Sequence, residues 1–553
     1  DALMARLDRL APVKAVAQLG AVLGREFSYA LLRTVAPVDE ATLQHGLAQL
    51  VEAELLYQRG RPPQATYLFK HALVQDVAYQ SLLRSTRQRY HQHIAQVLEA
   101  QFPDTVATQP ELLAQHYTEA SLAEQAMFYW QRAGERALRR SANVEAINHL
   151  FKGMELLKTL PDTRERDQRE LPLQLTLGPA LMAAKGQAAP EARQAYTRAR
   201  ELGQRLDDTR QYFQALWGSW RSHLVESEHL MARELGEQCL RLAEKSQDVA
   251  FMIEARFALG GTLMFMGEFT AARRHLDLAI PIYDIETHRS LAFHYGHDPG
   301  AANLSYLSWT EWYLGFPERA LQRGHQALAL AEALGHPLTL AFVLMWLALS
   351  HVLCREWSAA RSRAEAAIQI SKERGFPQTL WYCLSIYART FIEEGCLEQN
   401  LPQIQETVTA RKAMGVRLAG LFEIALLAEA YGVANRIEDG LHVLTEAIDF
   451  AQRTGEGFHL PELHRLKGEL LLQQSSDNCT AAETCFHQAL DIARHQQAKS
   501  LELRAAMSLA RPWLRQGKRA EADALLAPIY GWFTEGFDTV DLREAKMLLE
   551  ELG

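Results

Sequence analysis

Four side chains of one short stretch could hold a divalent metal. His288, His294, His297 and Asp298 supply the imidazole and carboxylate donors that zinc and related ions take. A metal centre also needs those donors to converge and to be fixed from behind by further partners. Here two of the histidines stand three apart in a glycine-containing loop, so packing and hydrogen bonds bridging two repeats are the expected role. The sequence contains no GxxxxGK[ST] loop to cradle a phosphate, no GxSxG elbow, no HExxH and no CxxC. The six cysteines are scattered, and the closest pair, Cys479 and Cys485, has no matching histidine cluster. They read as reduced, mostly buried thiols in a reducing compartment, which points to the cytoplasm. No catalytic, metal or cofactor residue is expected in this segment.

Residue types that recognise rather than react remain. Trp309, Trp312, Tyr382, Arg389, Arg504 and Arg511 fall on helical faces that can point into a concave groove. Aromatic and arginine side chains are frequent binding anchors. Trp309 and Trp312 fit equally well as packing between repeats. The segment RSTRQRYHQH, with Arg84, Arg87 and Arg89, could meet DNA, yet Leu82, Leu83, Tyr90 and Ile94 give it a packing face. The net charge of -9 and the absence of a strongly basic stretch argue against nucleic acid as a partner. No apolar run is read as a membrane span.

The elements that would position these residues are helices. Leu, Ala, Glu, Gln and Arg are abundant, and β-branched residues are sparse in most segments. One pattern recurs: an apolar helix, a Gly or polar corner, a bulky residue, then a small residue inside a second helix. LGGTLMFMGEFTAARRHLDLAI carries it with Gly267, Phe269 and Ala272. Gly315, Pro317 and Ala320 repeat it, as do Trp357 and Ala360, Gly395 and Asn400, Asn435 and Gly440, and Gly517 and Ala522. The small residue lets two antiparallel helices approach, and the corner glycine ends the first of them. The spacing is regular. Ala192, Ala232 and Ala272 are 40 apart, as are Ala320, Ala360, Asn400 and Gly440; Gly440 to Ala482 is 42 and Ala482 to Ala522 is 40. Only Ala272 to Ala320, at 48, breaks step, at the loop 286–301. A tetratricopeptide unit runs about 34 residues, so this period is longer by about one and a half helical turns.

The expected fold is therefore all-α: a right-handed superhelical solenoid of tetratricopeptide-like helix pairs with a concave face. Residues 170–535 form the array, 536–553 a capping helix, and 106–169 irregular helix pairs leading into it. Residues 1–105 differ. Helical patterns at 2–19, 28–36 and 40–53 precede two short strands, LLYQRG and ATYLFK, and a long helix over 71–99. Three helices and one β-hairpin read as a winged helix. The chain opens on Asp1 in what reads as mid-helix, so a piece of a longer protein is expected.

Several segments resemble one family. FKHALVQDVAYQSLLRSTRQRYHQHIAQVLE (69–99) resembles the region after the ATPase in bacterial multidomain proteins with a class III adenylate/guanylate cyclase domain. GPALMAAKGQAAPEARQAYTRARELGQRL (178–206), HYGHDPGAANLSYLSWTEWYLGFPERAL (294–321), PELHRLKGELLL (461–472) and the stretch 498–549 are similar to the same family's tail. The resemblance implies an order: cyclase, signal-transduction ATPase with numerous domains (STAND), winged helix, repeats. Only the last two have counterparts here. ATP and Mg are implied for the missing N-terminal domains alone, and no catalytic residue carries over. The implied role is a non-catalytic sensor and scaffold tail, with a protein or peptide in the repeat groove and an intramolecular contact to the ATPase. Two other readings stay open: the regulatory repeats of a large ATP-dependent transcription activator, and a free-standing interaction adaptor.

Overall fold

The computed structural model describes residues 13–392 and 397–553, and the side chains of 397–399 are left aside. The start of the first expected helix and the Gly395 corner lie outside the described residues. The chain divides into two units, one of residues 1–137 and 145–173, the other of 138–144 and 174–553.

In the first unit, helix Lys14–Leu23 is followed by strand β1 (Glu26–Ser28), helices Tyr29–Val35 and Glu40–Glu52, and strands β2 (Leu56–Arg59) and β3 (Thr66–Phe69). The strands form one antiparallel sheet in the order β1-β3-β2, with Tyr67 opposite both Phe27 and Gln58. Side chains of Ser28 and Asp39 cap the two helices that follow them, each accepting from a backbone N–H three residues on. The sequence reading had a two-stranded hairpin; β1 is a third strand, three residues long, too short for an alternating signal. The helix expected over 71–99 is two helices, Ala72–Gln80 and Arg84–Gln101. The break turns Leu82 into the core and leaves Leu83 75 % exposed. Helix Arg164–Lys185 starts within the charged stretch 162–169.

Helices Arg84–Gln101 and Pro110–Glu119 meet at a buried histidine pair, His91 Nδ1 to His116 Nδ1 at 2.8 Å, with Tyr79 Oη 3.0 Å from His91 Nε2. One ring must donate and the other accept, so both cannot be imidazolium. Burial, then the Arg87 charge, lowers His91 to about 4; burial, then His91, lowers His116 to about 3. The unfolded chain binds these protons near pH 6.5. These neutral rings therefore cost the fold nothing above pH 6.5, and stability falls progressively as pH drops from 6.5 toward 3, by up to about 1.4 kcal/mol per ring per pH unit. Hydrogen exchange across residues 84–119, corrected for intrinsic rate, should lose protection between pH 7 and pH 5. Equal protection at the two values would contradict the assignment.

The second unit is the tetratricopeptide-like solenoid. Second helices begin at His229, Phe269, Pro317, Trp357, Leu397, Ile437, Cys479 and Arg519, and the anchor residue of the 40-residue period is the fourth residue of each. Ala232, Ala272, Ala320, Ala360, Ala482 and Ala522 are all fully buried. A Cβ on Gly440 would stand 2.6 Å from Leu470 Cδ1, which is the closeness the small residue permits. Ala360→Leu should therefore overpack the joint and lower stability by about 1–3 kcal/mol. A urea midpoint shifted down at unchanged slope is the expected result; no shift would mean the joint is slack. Corner residues Gly267 and Gly315 take left-handed conformations, φ 83° and 94°, that end the first helix of each pair.

The break in the period is ordered. Ile280–Ile282, Ile285–His288 and Leu291–Tyr295 are short helical turns before helix Pro299–Tyr313. Asp298 caps that helix at Ala301 N (2.9 Å), accepts from Tyr283 Oη (2.7 Å), and donates its own N–H to Thr339 Oγ1 of the next pair (3.0 Å).

The array winds back onto itself. Val225 O accepts from the amides of Arg417 and Leu418, at 2.9 and 3.0 Å; Phe265 O accepts from Gly457 and Phe458, at 2.9 and 3.1 Å. Both contacts span 192 residues (225 to 417, 265 to 457), between four and five periods. Ser227 Oγ donates to buried Glu456 across the same seam at 2.7 Å. Inside this turn the axis is filled by rings. Trp309 lies 4.7 Å from Trp346, 5.4 Å from Phe422 and 5.9 Å from Phe458, centroid to centroid. One helix among the described residues, Val249–Met266, is apolar and long enough to cross a membrane, and 72 % of it is buried inside the array. Its apolarity is that of a core helix.

Candidate functional site

The period puts residues of the same register in a row along the inner surface. Arg389, Glu429 and Glu469 are each one period apart, on helices Pro377–Thr390, Gly420–Val433 and Leu460–Gln474. Helix Lys499–Arg515 continues the surface with Arg504, Ser508 and Arg511. The corner residue Arg355 and the C-terminal helix Val540–Leu552, through Asp541 and Glu544, complete a cleft of about 230 Å³. Phe422, Leu426, Val352 and Met507 give it apolar wall.

Its polar lining is a chain of ion pairs. Arg465 donates to both oxygens of Glu462, at 2.7 and 2.9 Å, the bidentate geometry that makes such pairs strong. Ser508 Oγ donates to Glu469 at 2.6 Å. Arg504 donates to Asp541 (2.8 Å) and to Leu353 O (2.7 Å), lies 3.7 Å from Glu462, and stacks 4.8 Å over the Trp312 ring. Arg389 pairs with Glu429 at 2.9 Å over the ring of Trp357. At the mouth, Arg355 and Arg511 both donate to Glu544, at 2.7 and 2.9 Å, and Arg355 lies 3.6 Å from Asp541.

Burial alone would raise the Glu462 carboxyl, but the guanidiniums of Arg465 and Arg504 outweigh it and hold it at about 2. His459, sealed beneath the cleft with Nδ1 2.9 Å from Tyr313 Oη, is lowered to about 4 by burial and stays neutral at pH 7. The surface is therefore charged, preorganised and without an activated nucleophile. Such an arrangement can recognise charged or strongly polar groups.

Of the six residues singled out from sequence, Arg389, Arg504 and Arg511 line the cleft. Trp312 backs it, 2 % exposed beneath Arg504. Trp309 is fully buried in the ring cluster, and the Tyr382 hydroxyl is taken up by Leu418 O in the core. Sequence reasoning missed Arg355, Arg465, Glu462, Asp541 and Glu544. The i,i+3 spacing of Glu462 with Arg465, and of Asp541 with Glu544, was the available signal.

The metal-type cluster is otherwise engaged. His288 Nδ1 accepts from Asp284 N, His297 packs among Trp217, Phe257 and Phe342, and His294 is exposed near Ser290 O. Among the described residues no group of three or more His, Cys, Asp or Glu could hold a metal ion. Arg84 and Arg89 are exposed, while Arg87 stacks 5.1 Å over Tyr79.

No family model matches the chain. A curated relative, an uncharacterized protein of Rhizobium meliloti (strain 1021), is 22 % identical over 511 residues, which are 92 % of this chain and 49 % of that protein. The chain thus spans about half the length of the curated relative it matches. Among solved structures, a Rap protein complexed with competence and sporulation factor aligns over 68 % of this chain and 99 % of its own, at 11 % identity and a TM-score of 0.48. A STAND protein with a tetratricopeptide repeat sensor from Pyrococcus horikoshii aligns over 97 % and 65 %, at 12 % identity and a TM-score of 0.32.

Proposed function

We propose that the repeat unit is the sensing array of a longer cytoplasmic signalling ATPase, and that the cleft is where a protein, peptide or small ligand is read. The observation that carries this reading is the cleft itself. Its side chains come from successive repeats, a corner and the C-terminal helix, so a ligand there touches elements whose relative placement depends on how the array is wound. A ligand that binds one winding better than another shifts that equilibrium. The segment is non-catalytic in this reading, and the nucleotide chemistry, including the cyclase that the sequence resemblance implies, belongs to domains outside it.

The first unit fits a winged helix: helix, strand, two helices, then a two-strand wing. In that arrangement the helix before the wing would read DNA, and here it is Glu40–Glu52, EATLQHGLAQLVE, with no lysine or arginine. The arginines of Arg84–Gln101 come after the wing. This supports a relay module contacting the ATPase rather than a DNA reader.

Two measurements test the reading. The chain incubated with ATP and Mg or Mn should show no nucleotide turnover; measurable cyclase or ATPase activity would overturn the non-catalytic assignment. Removing the array from the longer protein should change its nucleotide turnover; an unchanged rate would leave the array without a sensing role.

A further inference from the structure

At the mouth of the cleft Arg355 and Arg511 face Asp541 and Glu544, whereas deeper in Arg504 is held by Asp541 and Glu462, Arg465 by Glu462 and Glu469, and Arg389 by Glu429. Among the described residues Arg355 and Arg511 each donate one hydrogen bond, and both go to the same carboxylate, Glu544. A guanidinium has five N–H donors in a planar fork suited to carboxylate or phosphate. Arg355 stands at a corner with φ 60°, a left-handed conformation that the sister corners Ser227, Gly267, Gly315, Asn435 and Gly517 share. That conformation places the side chain at the cleft mouth, which a glycine could not furnish.

We infer that this mouth is a binding site for a small ligand bearing a carboxylate or phosphate group, taken between Arg355 and Arg511, with Glu544 holding the two arginines in its absence. The inference rests on the sensing role proposed above and gives the ligand its chemical class. Asp541 and Glu544 show what the site accepts: oxyanions one helical turn apart. The cleft, at about 230 Å³, has room for more than a single inorganic ion. An incoming anion competes with Glu544, so affinity is set by the difference between the two.

The test is calorimetric titration of the whole chain at fixed ionic strength with three probes: triglutamate, inorganic pyrophosphate and the neutral N-acetyl-trialanine amide. Wild type should bind at least one charged probe, and which one separates a carboxylate from a phosphate ligand. Arg355→Gln and Arg511→Gln should each weaken that binding about tenfold. Glu544→Gln, by removing the competitor, should tighten it by a similar factor. Failure of both charged probes to bind, binding by the two arginine variants as tight as that of wild type, or weaker binding by Glu544→Gln would each overturn the site. Binding of the neutral peptide alone would also overturn it while leaving the sensing role intact. Arg355 and Arg511 side chains are 35 % and 43 % exposed, so their loss should spare the fold; if a variant fails to fold, the Glu544→Gln arm still decides.

Discussion

Glu462→Ala is expected to destabilise the repeat array by about 3–5 kcal/mol, since removing one member of a buried ion pair strands the other. Glu462 is 3 % exposed, takes two hydrogen bonds from Arg465 and lies 3.7 Å from Arg504. Without it Arg465 keeps only Glu469, at 3.5 Å, and Arg504 keeps Asp541, in a wall Arg504 cannot leave because Leu353 O and Trp312 also hold it. Chemical denaturation of the variant should show the loss directly; a change below about 1 kcal/mol, the range of exposed pairs, would mean the network is solvated. The pH dependence has a definite sign. The folded carboxyl at about 2 lies below the unfolded value near 4.3, so its stabilisation is present above that value and is lost as pH falls toward 2.

Trp309→Ala should be as damaging, about 3–5 kcal/mol, because it empties the centre of the ring cluster. The two accounts of this residue differ sharply in what they expect. On the wall of an open groove, its truncation would move stability by about 0.5 kcal/mol or less and weaken only a ligand. Packed against Trp346 of the next pair and Phe422 and Phe458 of distant repeats, it should lower the denaturation midpoint of the whole array. Conservative replacement by Phe should recover much of the loss, since the ring contacts are partly kept.

The repeat was legible because it is written in residue size. A small residue must recur wherever two helices touch, so the 40-residue spacing from Ala192 to Ala522 was open to counting. The seam was not legible. Val225 O and Phe265 O accept from backbone amides 192 residues away, and a carbonyl leaves no mark of residue type. Once the seam forms, the upper concave face has no open groove, and Trp309 and Tyr382 become core. The arginines of the cleft were half legible. Arg389, Arg504 and Arg511 stood out on first helices, whereas Arg355 sits on a corner and Asp541 and Glu544 on the last helix. Their arrival at the same place depends on the pitch of the array, which no local pattern encodes. Strand β1 was lost for a simpler reason, its length of three residues.

Amide hydrogen exchange at the links 415–419 and 455–459 tests the winding of the array most directly. In an open solenoid these are surface turns whose amides exchange within seconds. Here Arg417, Leu418, Gly457 and Phe458 each donate across the seam, so their protection should match that of the adjoining helices Gly420–Val433 and Leu460–Gln474. Exchange at unprotected loop rates, with those helices still protected, would contradict the closed turn and return the concave face to an open groove.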